Sequence, residues 1–455
     1  MHNKEVAQIY LSEKELRALE RDAKKALREL VTPQGIYASP DEGWRGPYHS
    51  WFGRDSSITA DLIFTAEKQK KIKSLSKKSY LALQSLTAWQ GSQNNSETGE
   101  EKGKLPHEIR NMFGRVSKVQ HAANSNFMPW FVDPSDGLLK NWDSADSTPL
   151  WVIAMARGRF ATQRGFNSST TGNLRLALEW CLNNLNRYGG LAGFLGADLQ
   201  DGRIYSGLHN QGWKDSFQVY QNSDGSLAKH PIKDVLINAE MWSALKYGAD
   251  IFKNHDPEFA EELSKNAALL KRRFNSPRDG FLFKDTSSGL PYFAQALDGN
   301  NQKLESVCAD VGMCFWAYHK NACIIDERAM DRVVARLMQP DLFNPEAGIR
   351  NYSTFTSFKQ GTGYHGSAYT YWPFVSALIV RGLDHFGYKD EAMAIASAML
   401  RGISRFGSNI ELFVETEDHM YKPWHHPKIG QQSSVNQAWT AAGVYYASRY
   451  LQDKI

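Results

Sequence analysis

Cysteine and long apolar runs are what this 455-residue sequence has least of. Its four cysteines lack metal-ligand spacing and stand in apolar, helix-like surroundings: Cys181, Cys308, Cys314 and Cys323. We therefore expect buried free thiols in a reducing compartment. No uninterrupted apolar run of about 18 residues occurs, which argues against a membrane span. The first residues carry charges from Lys4 onward without a continuous apolar core, so we expect no signal peptide and a cytoplasmic protein.

An excess of one charge is missing as well. The chain has 53 basic and 49 acidic residues, a net charge of +4, and no block of lysine or arginine. This bias is too slight to favour a nucleic acid or an anionic membrane as a partner. With 42% hydrophobic and 22% charged residues, the composition is typical of a soluble globular protein.

Helical periodicity dominates the pattern, and sustained β alternation is scarce. Ser12 and Glu15 form a capping-box pattern before a helical face that ends at Leu30. Further helices are predicted near 56–90 with a break at 74, 147–162, 172–188, 235–252, 259–274, 307–320, 327–338, 373–386, 389–405 and 434–451, and a β-hairpin near 280–293. No linker composition interrupts these helical hairpins. We expect one all-α domain over residues 1–455 that closes on itself, with two separate helical bundles as the alternative.

Aromatic residues are abundant, at 12% with 13 tryptophans. Many tryptophans stand beside glycine, proline, aspartate or histidine rather than inside periodic helices, as Trp51, Trp213 and Trp372 do. Aromatic rings on polar loops suit a site that stacks on flat, half-apolar ligands such as sugar rings. Core packing is the alternative explanation for about half of them.

A loop at residues 208–216 combines these features. Gly212 allows close backbone approach to a ligand, Trp213 offers a flat apolar face, and Asp215 supplies a carboxyl group. In a partly dry pocket such a carboxyl has a raised pKa and can donate a proton. The structural alternative is an aspartate that caps a helix at Ser216, with Trp213 in the core.

A second carboxyl group stands late in the chain, at Glu411. A glycosidase needs two carboxyl groups on opposite sides of the scissile bond. Glu411 is flanked by apolar residues, so it either faces a pocket or lies on the polar side of a short strand. Glu415, which is followed by Thr416-Glu417-Asp418, is predicted to be solvated surface.

Other polar–aromatic clusters stand before helix starts. Residues 51–55 read Trp-Phe-Gly-Arg-Asp and supply an Arg-Asp pair able to bond vicinal hydroxyl groups. Residues 364–367 and 371–373 precede another helix, and Gln437 and Trp439 open the last one. Packing alone does not explain why such clusters recur before at least four helix starts.

Taken together, the motifs resemble the amylo-α-1,6-glucosidase family, the part of glycogen-debranching enzymes that removes α-1,6-linked glucose. The wider group comprises (α/α)6-barrel glucosidases. The resemblance rests on residues 51–55, 103–110, 146–150, 210–216, 364–367, 372–373, 411–413 and 437–439, in the family's order. It implies an (α/α)6 barrel with long rim loops and little β structure. It also implies an inverting reaction, with Asp215 as general acid and Glu411 as general base.

The same resemblance implies a sugar-binding site. Arg54 and Asp55 would hold the non-reducing glucose, with Trp51, Trp213 and Trp372 lining the subsite. Further substrate-binding candidates are Phe52, Glu108, Asp146, Gln211, Lys214, His365, Gln437 and Trp439; for Glu108 and Asp146 a structural role is the open alternative. No metal and no organic cofactor is implied. The expected partner is an oligosaccharide or a small glucoside.

Some positions depart from the family pattern. Ile410 stands where the family has a proline, and residues 233–240 replace a common Glu-x-Gln-Gly-Tyr run. The chain also has no room for the transferase domain of the long debranching enzymes. An exo-acting α-1,6-glucosidase is the favoured function. The alternatives are a trehalase-like or glucosylglycerate-type hydrolase and a catalytically silent carbohydrate-binding protein.

Overall fold

Helices that are buried on nearly all sides alternate along this chain with helices buried on one side only. The computed structural model describes residues 11–40, 48–68, 74–111, 129–359, 363–426 and 430–454. Its α-helices are α1 (Glu13–Leu30), α2 (Gly53–Ala66), α3 (Ser74–Ser85), α4 (Ser147–Thr162), α5 (Ser168–Arg187), α6 (Val235–Phe252), α7 (Pro257–Phe274), α8 (Asp310–Met313), α9 (Glu327–Leu337), α10 (Pro373–His385), α11 (Lys389–Ser404) and α12 (Ala438–Gln452).

The even-numbered helices form a closed inner ring. Each packs against the next, from α2 through α4, α6, α8 and α10 to α12, and α12 packs back against α2. The odd-numbered helices pack outside this ring. Those from α3 to α11 each pack against at least one inner helix adjacent in sequence, and α1 lies on α12. The fold is an (α/α)6 barrel, as the sequence predicts. The boundary of a single domain at 1–455 stays a prediction.

Burial explains the two helix types. In α2, α6 and α12 nearly every side chain is buried, because an inner helix touches neighbours on both flanks and outside. The outer helix α1 instead buries one stripe that includes Leu16, Ala23 and Leu27. Its predicted capping box is present: the Ser12 hydroxyl accepts from the Glu15 N–H, and the Glu15 carboxylate accepts from the Ser12 N–H.

Short antiparallel strands lie in the loops between the helices. They are β1 (Trp51–Phe52), β2 (Glu108–Asn111), β3 (Leu138–Asn141), β4 (Lys233–Asp234), β5 (Leu282–Lys284), β6 (Pro291–Phe293), β7 (Ala296–Leu297), β8 (Lys303–Leu304), β9 (Phe343–Asn344), β10 (Gly348–Ile349), β11 (Thr370–Tyr371), β12 (Phe413–Glu415) and β13 (Tyr421–Pro423). They pair as β1-β2-β3, β4-β7-β8, β5-β6, β9-β10 and β11-β12-β13. The hairpin predicted near 280–293 is confirmed as β5-β6, and the four cysteines are free and buried.

One predicted helix is much shorter than expected. The apolar pattern over 307–320 gives only the single helical turn α8, after which Phe315, Trp316 and Ala317 continue as buried turns. Because these side chains are buried on every side, their apolar pattern does not distinguish a helix from a packed turn.

Candidate active site

The N-termini of the inner helices meet at one end of the barrel. Side chains at or before these ends include Asp146 at α4, Asp234 at α6, Asp310 at α8, Trp372 at α10 and Gln437 at α12. Free backbone N–H groups and the helix dipoles make this end electropositive, which favours buried carboxylates there. The rim loops that carry the sequence motifs lie at the same end.

The first residue of α2, Gly53, has to be a glycine because no side chain fits at this position. A Cβ atom there would lie 2.4 Å from the Pro106 carbonyl oxygen and 2.9 Å from the Ser147 side chain. The Gly53 N–H donates to the His107 carbonyl at 3.1 Å. This close approach aims the next residue, Arg54, into the end of the barrel.

Arg54 connects the carboxylates of the site. Its Nη1 donates to Asp146 Oδ2 at 2.9 Å and its Nη2 to Asp215 Oδ2 at 3.2 Å, while Nε lies 3.9 Å from Asp55 Oδ2. Gln437 Nε2 donates to the other oxygen of Asp55, Oδ1, at 3.4 Å. Only 4% of the Arg54 side chain is exposed, so its charge is screened little by solvent.

The loop around Asp215 is anchored on both sides of the carboxyl group. Trp213 Nε1 and Lys214 Nζ donate to the two oxygens of Asp310, each at 2.6 Å. Asn210 Nδ2 donates to the Ser216 carbonyl at 2.8 Å. Burial raises the pKa of Asp215 to about 6, Arg54 opposes that rise, and the Asp146 charge adds to it. Since 26% of its side chain remains exposed, Asp215 can reach a ligand.

His365 lies against Asp215 as a neutral ring. The Ser216 N–H donates to His365 Nδ1 at 3.3 Å, so this nitrogen is an acceptor. Burial lowers the pKa of His365 well below its ordinary value, and the Arg54 charge lowers it further. Its Nδ1 lies 3.6 Å from Asp215 Oδ1, which places two acceptor atoms side by side and favours a proton on the carboxyl group.

Glu411 is held from two sides in a nearly dry position, with 2% exposure. Tyr364 donates its hydroxyl proton to Oε1, and the Ser434 N–H donates to Oε2 at 3.0 Å. Burial raises the pKa of Glu411 to about 7, these two donors oppose the rise, and the charges of Asp55 and Asp215 add to it. Glu411 and Asp215 therefore act on each other electrostatically without sharing a hydrogen bond.

Aromatic rings build one wall of the site. Trp372 stacks on His365 at 5.0 Å and meets Trp213 edge-on at 5.5 Å, while Trp439 stacks on Phe374 at 4.0 Å. Among the described residues, the Nε1 atoms of Trp372 and Trp439 are buried without a hydrogen-bond partner. Buried donors of this kind are expected to find an acceptor, such as a ligand oxygen.

The strand β1 directs the side chains of two candidate substrate-binding residues, Trp51 and Phe52, to opposite faces. Its register pairs Phe52 with Glu108, and the Phe52 ring contacts the ring of His107 at 5.4 Å. Successive side chains on a strand point to opposite faces. Trp51 accordingly packs the other way, against Trp89 at 4.9 Å. A substrate-binding role for Trp51 stays a prediction, and these contacts do not support it.

Three other candidates have protein partners. Glu108 Oε1 accepts from Arg110 Nε at 2.6 Å. Gln211 Nε2 donates to the Leu195 carbonyl at 2.8 Å. Lys214 is occupied by Asp310, as described above. These side chains hold the loops in place, and their contact with a substrate stays a prediction.

The expectation that Glu415 is solvated surface is wrong. Glu415 is 8% exposed and accepts hydrogen bonds from Arg350 and, at 2.7 Å, from the Tyr371 hydroxyl. It ends β12, the central strand of the β11-β12-β13 sheet, so neighbouring strands cover it. The polar residues that follow it are exposed and misled the sequence interpretation.

Sequence reasoning missed several contributors to the site. Tyr364 stands beside His365 in the segment 364–367, and its hydroxyl group donates a hydrogen bond to Glu411. Burial raises the pKa of Tyr48, and the charges of Glu411 and Asp215 raise it further. Tyr48 therefore lies near both carboxyl groups. Asp310 carried no local signal, since it opens a single buried turn within apolar sequence.

Across the described ranges, no group of three or more histidine, cysteine, aspartate or glutamate side chains could hold a metal ion. None of the helices in those ranges is long and apolar enough to cross a bilayer.

No family model and no curated protein matches this sequence. Solved structures do resemble the fold. A GH63 mannosylglycerate hydrolase from Thermus thermophilus in complex with glucose has a TM-score of 0.55 at 12% identity, over 94% of this chain and 99% of that one. A structure titled as a wild-type glycosidase gives 0.54 at 12% identity, over 97% and 99%. A rhamnosidase from Klebsiella oxytoca with rhamnose bound gives 0.56 at 13% identity, over 97% and 64%. At these identities the likeness shows a shared fold.

Proposed function

We propose that this protein is a glycoside hydrolase that removes a terminal glucose from a small α-glucoside with inversion. The observation that carries the proposal is the pair Asp215 and Glu411. Both carboxyl groups are held at the N-terminal end of the inner ring, and burial raises the pKa of Asp215 to about 6 and that of Glu411 to about 7. The resemblance in fold to glycosidase structures supports the same reaction class.

The two carboxyl groups have different surroundings, which suggests their roles. Asp215 faces the unprotonated Nδ1 of His365 and keeps part of its side chain open, as suits a proton donor. Glu411 accepts from Tyr364 and from the Ser434 N–H, as suits an ionised base held in one orientation. Adjacent residues, Tyr364 and His365, thus contact one carboxyl group each. An inverting reaction requires the two carboxyl groups to be far enough apart for a water molecule to enter between one of them and the sugar.

The proposed step breaks one bond and forms another. Asp215 transfers its proton to the glycosidic oxygen as the bond from that oxygen to C1 breaks. Glu411 takes a proton from a water molecule, whose oxygen attacks C1 from the opposite face. An α-glucoside then yields β-glucose and the free alcohol. Arg54, Asp55 and the tryptophan wall would hold the glucose ring, with Glu108 and Asp146 near its hydroxyl groups.

Two substrate classes, which differ in the group that leaves from the glucose, are candidates. The sequence motifs favour an α-1,6-linked glucose on an oligosaccharide. The fold resemblance to a mannosylglycerate hydrolase instead favours a glucosylglycerate-type compound, in which a short acid carries the sugar. We favour the small glucoside, because residues 233–240 and Ile410 depart from the debranching pattern.

Proton NMR of the released sugar tests both reaction and substrate. The purified protein is incubated with isomaltose, a branched limit dextrin, trehalose and α-glucosylglycerate, and the anomeric signals are followed from the first turnover. Initial β-glucose from the limit dextrin or from α-glucosylglycerate, whose leaving groups are not free glucose, supports inversion, and the substrate that reacts fastest identifies the class. The variant Glu411→Gln should be inactive, with the exposed Glu417→Gln as its matched control. Initial α-glucose from the limit dextrin or from α-glucosylglycerate would contradict inversion, whereas trehalose releases one glucose of each anomer on inversion and reports the substrate class only. No release from any member would favour a binding protein.

A further inference from the structure

A second pocket opens at the same end of the barrel as the carboxyl cluster. It has a volume of about 650 Å³. Three of its walls are segments that lead toward inner helices: 221–224 toward α6, 302–307 toward α8 and 353–358 toward α10. The turn of the β5-β6 hairpin, 285–287, forms the fourth wall. Its volume lies within the usual range of about 300–1,000 Å³ for ligand pockets.

The lining is rich in neutral hydrogen-bonding groups. Amide and hydroxyl side chains such as Gln221, Thr286 and Gln302 surround the space. Charged side chains line it as well. Asp285 is paired, since Arg336 Nε donates to its Oδ2 at 2.6 Å, and Asp224 accepts from the Ser226 hydroxyl at 2.6 Å. Lys303 donates to the Pro277 carbonyl, and Glu305 is exposed to solvent. Amides and hydroxyls both donate and accept hydrogen bonds, which suits a ligand with many hydroxyl groups and no charge.

The hydroxyl group of Ser306 lacks a hydrogen-bond partner among the described residues. Ser306 is 4% exposed and lines the pocket. A buried hydroxyl left in this state is unfavourable by roughly 1–3 kcal/mol, so native structures seldom keep one without a reason. A ligand hydroxyl in the pocket would satisfy it.

An aromatic side chain completes the lining. Phe355 is 68% exposed, one of the largest exposures of an apolar side chain among the described residues, and Phe358 lies close by in the same segment. A large aromatic ring left in water beside amides and hydroxyls is typical of a surface that stacks on a half-apolar ligand. The C–H face of a pyranose ring is such a ligand.

The pocket is joined to the candidate active site through its walls. Lys359 Nζ donates to the Val219 carbonyl and to Gln221 Oε1, each at 2.8 Å. These bonds attach the segment that carries Phe355 to the segment that follows Asp215.

We propose that this pocket is a second saccharide-binding site, which holds a neutral pyranose unit separately from the glucose that is hydrolysed. The ligand class is a glucose oligomer, and the choice of glucose rests on the proposed function. Phe355 stacks on the pyranose ring, and Ser306 together with the amide groups bonds its hydroxyls. The pocket thereby retains a glucose oligomer beside the active site, while the proposed hydrolysis itself needs only a small glucoside.

Calorimetric titration with maltotetraose and isomaltotriose tests the inference in the Asp215→Asn background, where turnover is suppressed. Phe355→Ala should raise the Kd for the tighter oligomer by about 3- to 10-fold, as expected for the loss of one aromatic contact. Ser306→Ala should raise the same Kd without lowering the thermal midpoint of the free protein, because it removes an unpaired buried hydroxyl group. The matched control is Phe160→Ala, which removes another exposed phenylalanine from the last turns of α4, at the opposite end of the barrel.

Each outcome decides between the pocket and the catalytic site. An unchanged Kd in Phe355→Ala, an equal loss in Phe160→Ala, or no oligomer binding by the Asp215→Asn protein overturns the inference. If small glucosides are hydrolysed while any of these results holds, the proposed function stands and the pocket assignment falls. If no glucoside is hydrolysed but Phe355→Ala weakens oligomer binding, the pocket stands and the proposed function falls.

Discussion

Arg54 Nη2 donates a hydrogen bond to Asp215 Oδ2 at 3.2 Å, across 161 positions of sequence. The guanidinium opposes the effect of burial on this carboxyl group, and the pKa of Asp215 is raised only to about 6. The same side chain holds Asp146. One buried cation thereby sets both the orientation and the acidity of the group that we propose as the acid.

Replacing the proposed acid should abolish most of the rate and leave the fold intact. Asp215→Asn keeps the shape of the side chain but removes the transferable proton. We expect kcat to fall by about 10²–10⁴-fold, with substrate affinity nearly unchanged. Steady-state kinetics with the substrate identified by NMR checks this. Asp201→Asn, at an exposed position, is the control; wild-type kcat in Asp215→Asn would place the acid elsewhere.

A lysine at position 54 should not reproduce the function of Arg54. A lysine ammonium lacks the planar fork that reaches Asp146 and Asp215 at once. We expect Arg54→Lys to lower kcat/KM by about 10²-fold, because the acid loses its orientation. Weaker pairing should also raise the pKa of Asp215 above its wild-type value of about 6. Unaltered kcat/KM together with an unaltered pH profile would show that Arg54 plays no part in positioning.

The pH dependence of kcat/KM should be bell-shaped. In the proposed mechanism the active form has Asp215 protonated and Glu411 ionised, whereas burial raises the pKa of Asp215 to about 6 and that of Glu411 to about 7. The active form is therefore a minor species, most populated between these values and lost on either side. Initial rates at low substrate from about pH 4 to pH 9 check this. A rate that stays constant across this range would contradict the paired assignment.

Removing the phenol that holds Glu411 should shift this profile in a defined direction. The Tyr364 hydrogen bond lowers the pKa of Glu411, so Tyr364→Phe should raise that pKa above about 7. The alkaline limb then moves to higher pH, and kcat/KM falls throughout the acidic limb because less Glu411 is ionised. Tyr388→Phe, which removes a hydroxyl bonded to Asp331 on the outer helices, should leave both limbs in place. Equal profiles for the two variants would contradict the role of Tyr364.

Glu240 should affect stability in a pH-dependent manner. Burial raises the pKa of Glu240 well above its ordinary 4.5, and the charges of Asp146 and Asp234 raise it further. Above the unfolded pKa the native state binds the extra proton, so stability falls as pH rises, by about 1.4 kcal/mol per pH unit, until the folded pKa is passed. Glu240→Gln should therefore match wild type near pH 4 and unfold at higher denaturant concentration near pH 8. Glu261→Gln, at an exposed position on α7, is the control, and equal midpoints for Glu240→Gln and wild type at both pH values would contradict the burial argument.

Local sequence determined much of the secondary structure. The Ser12–Glu15 capping box starts α1, and the apolar stripe of α7 ends with Phe274, because these signals depend only on residues within a few turns. The polar–aromatic clusters before helix starts likewise lie at the N-termini of α2, α10 and α12. Backbone direction alone brings those ends together once helical hairpins close into a ring.

The tertiary structure alone decided which side chains meet. Inner helices are buried on nearly all sides, so their sequence has no single stripe from which a facing partner could be read. Ring closure places Arg54 beside Asp146 and Asp215, and sheet pairing turns Phe52 inward, packs Trp51 against Trp89 and covers Glu415. The support of Trp213 and Lys214 by Asp310 depends on a single buried turn about 100 residues away. Such contacts follow from the packing of distant segments, and the local pattern of residues does not encode them.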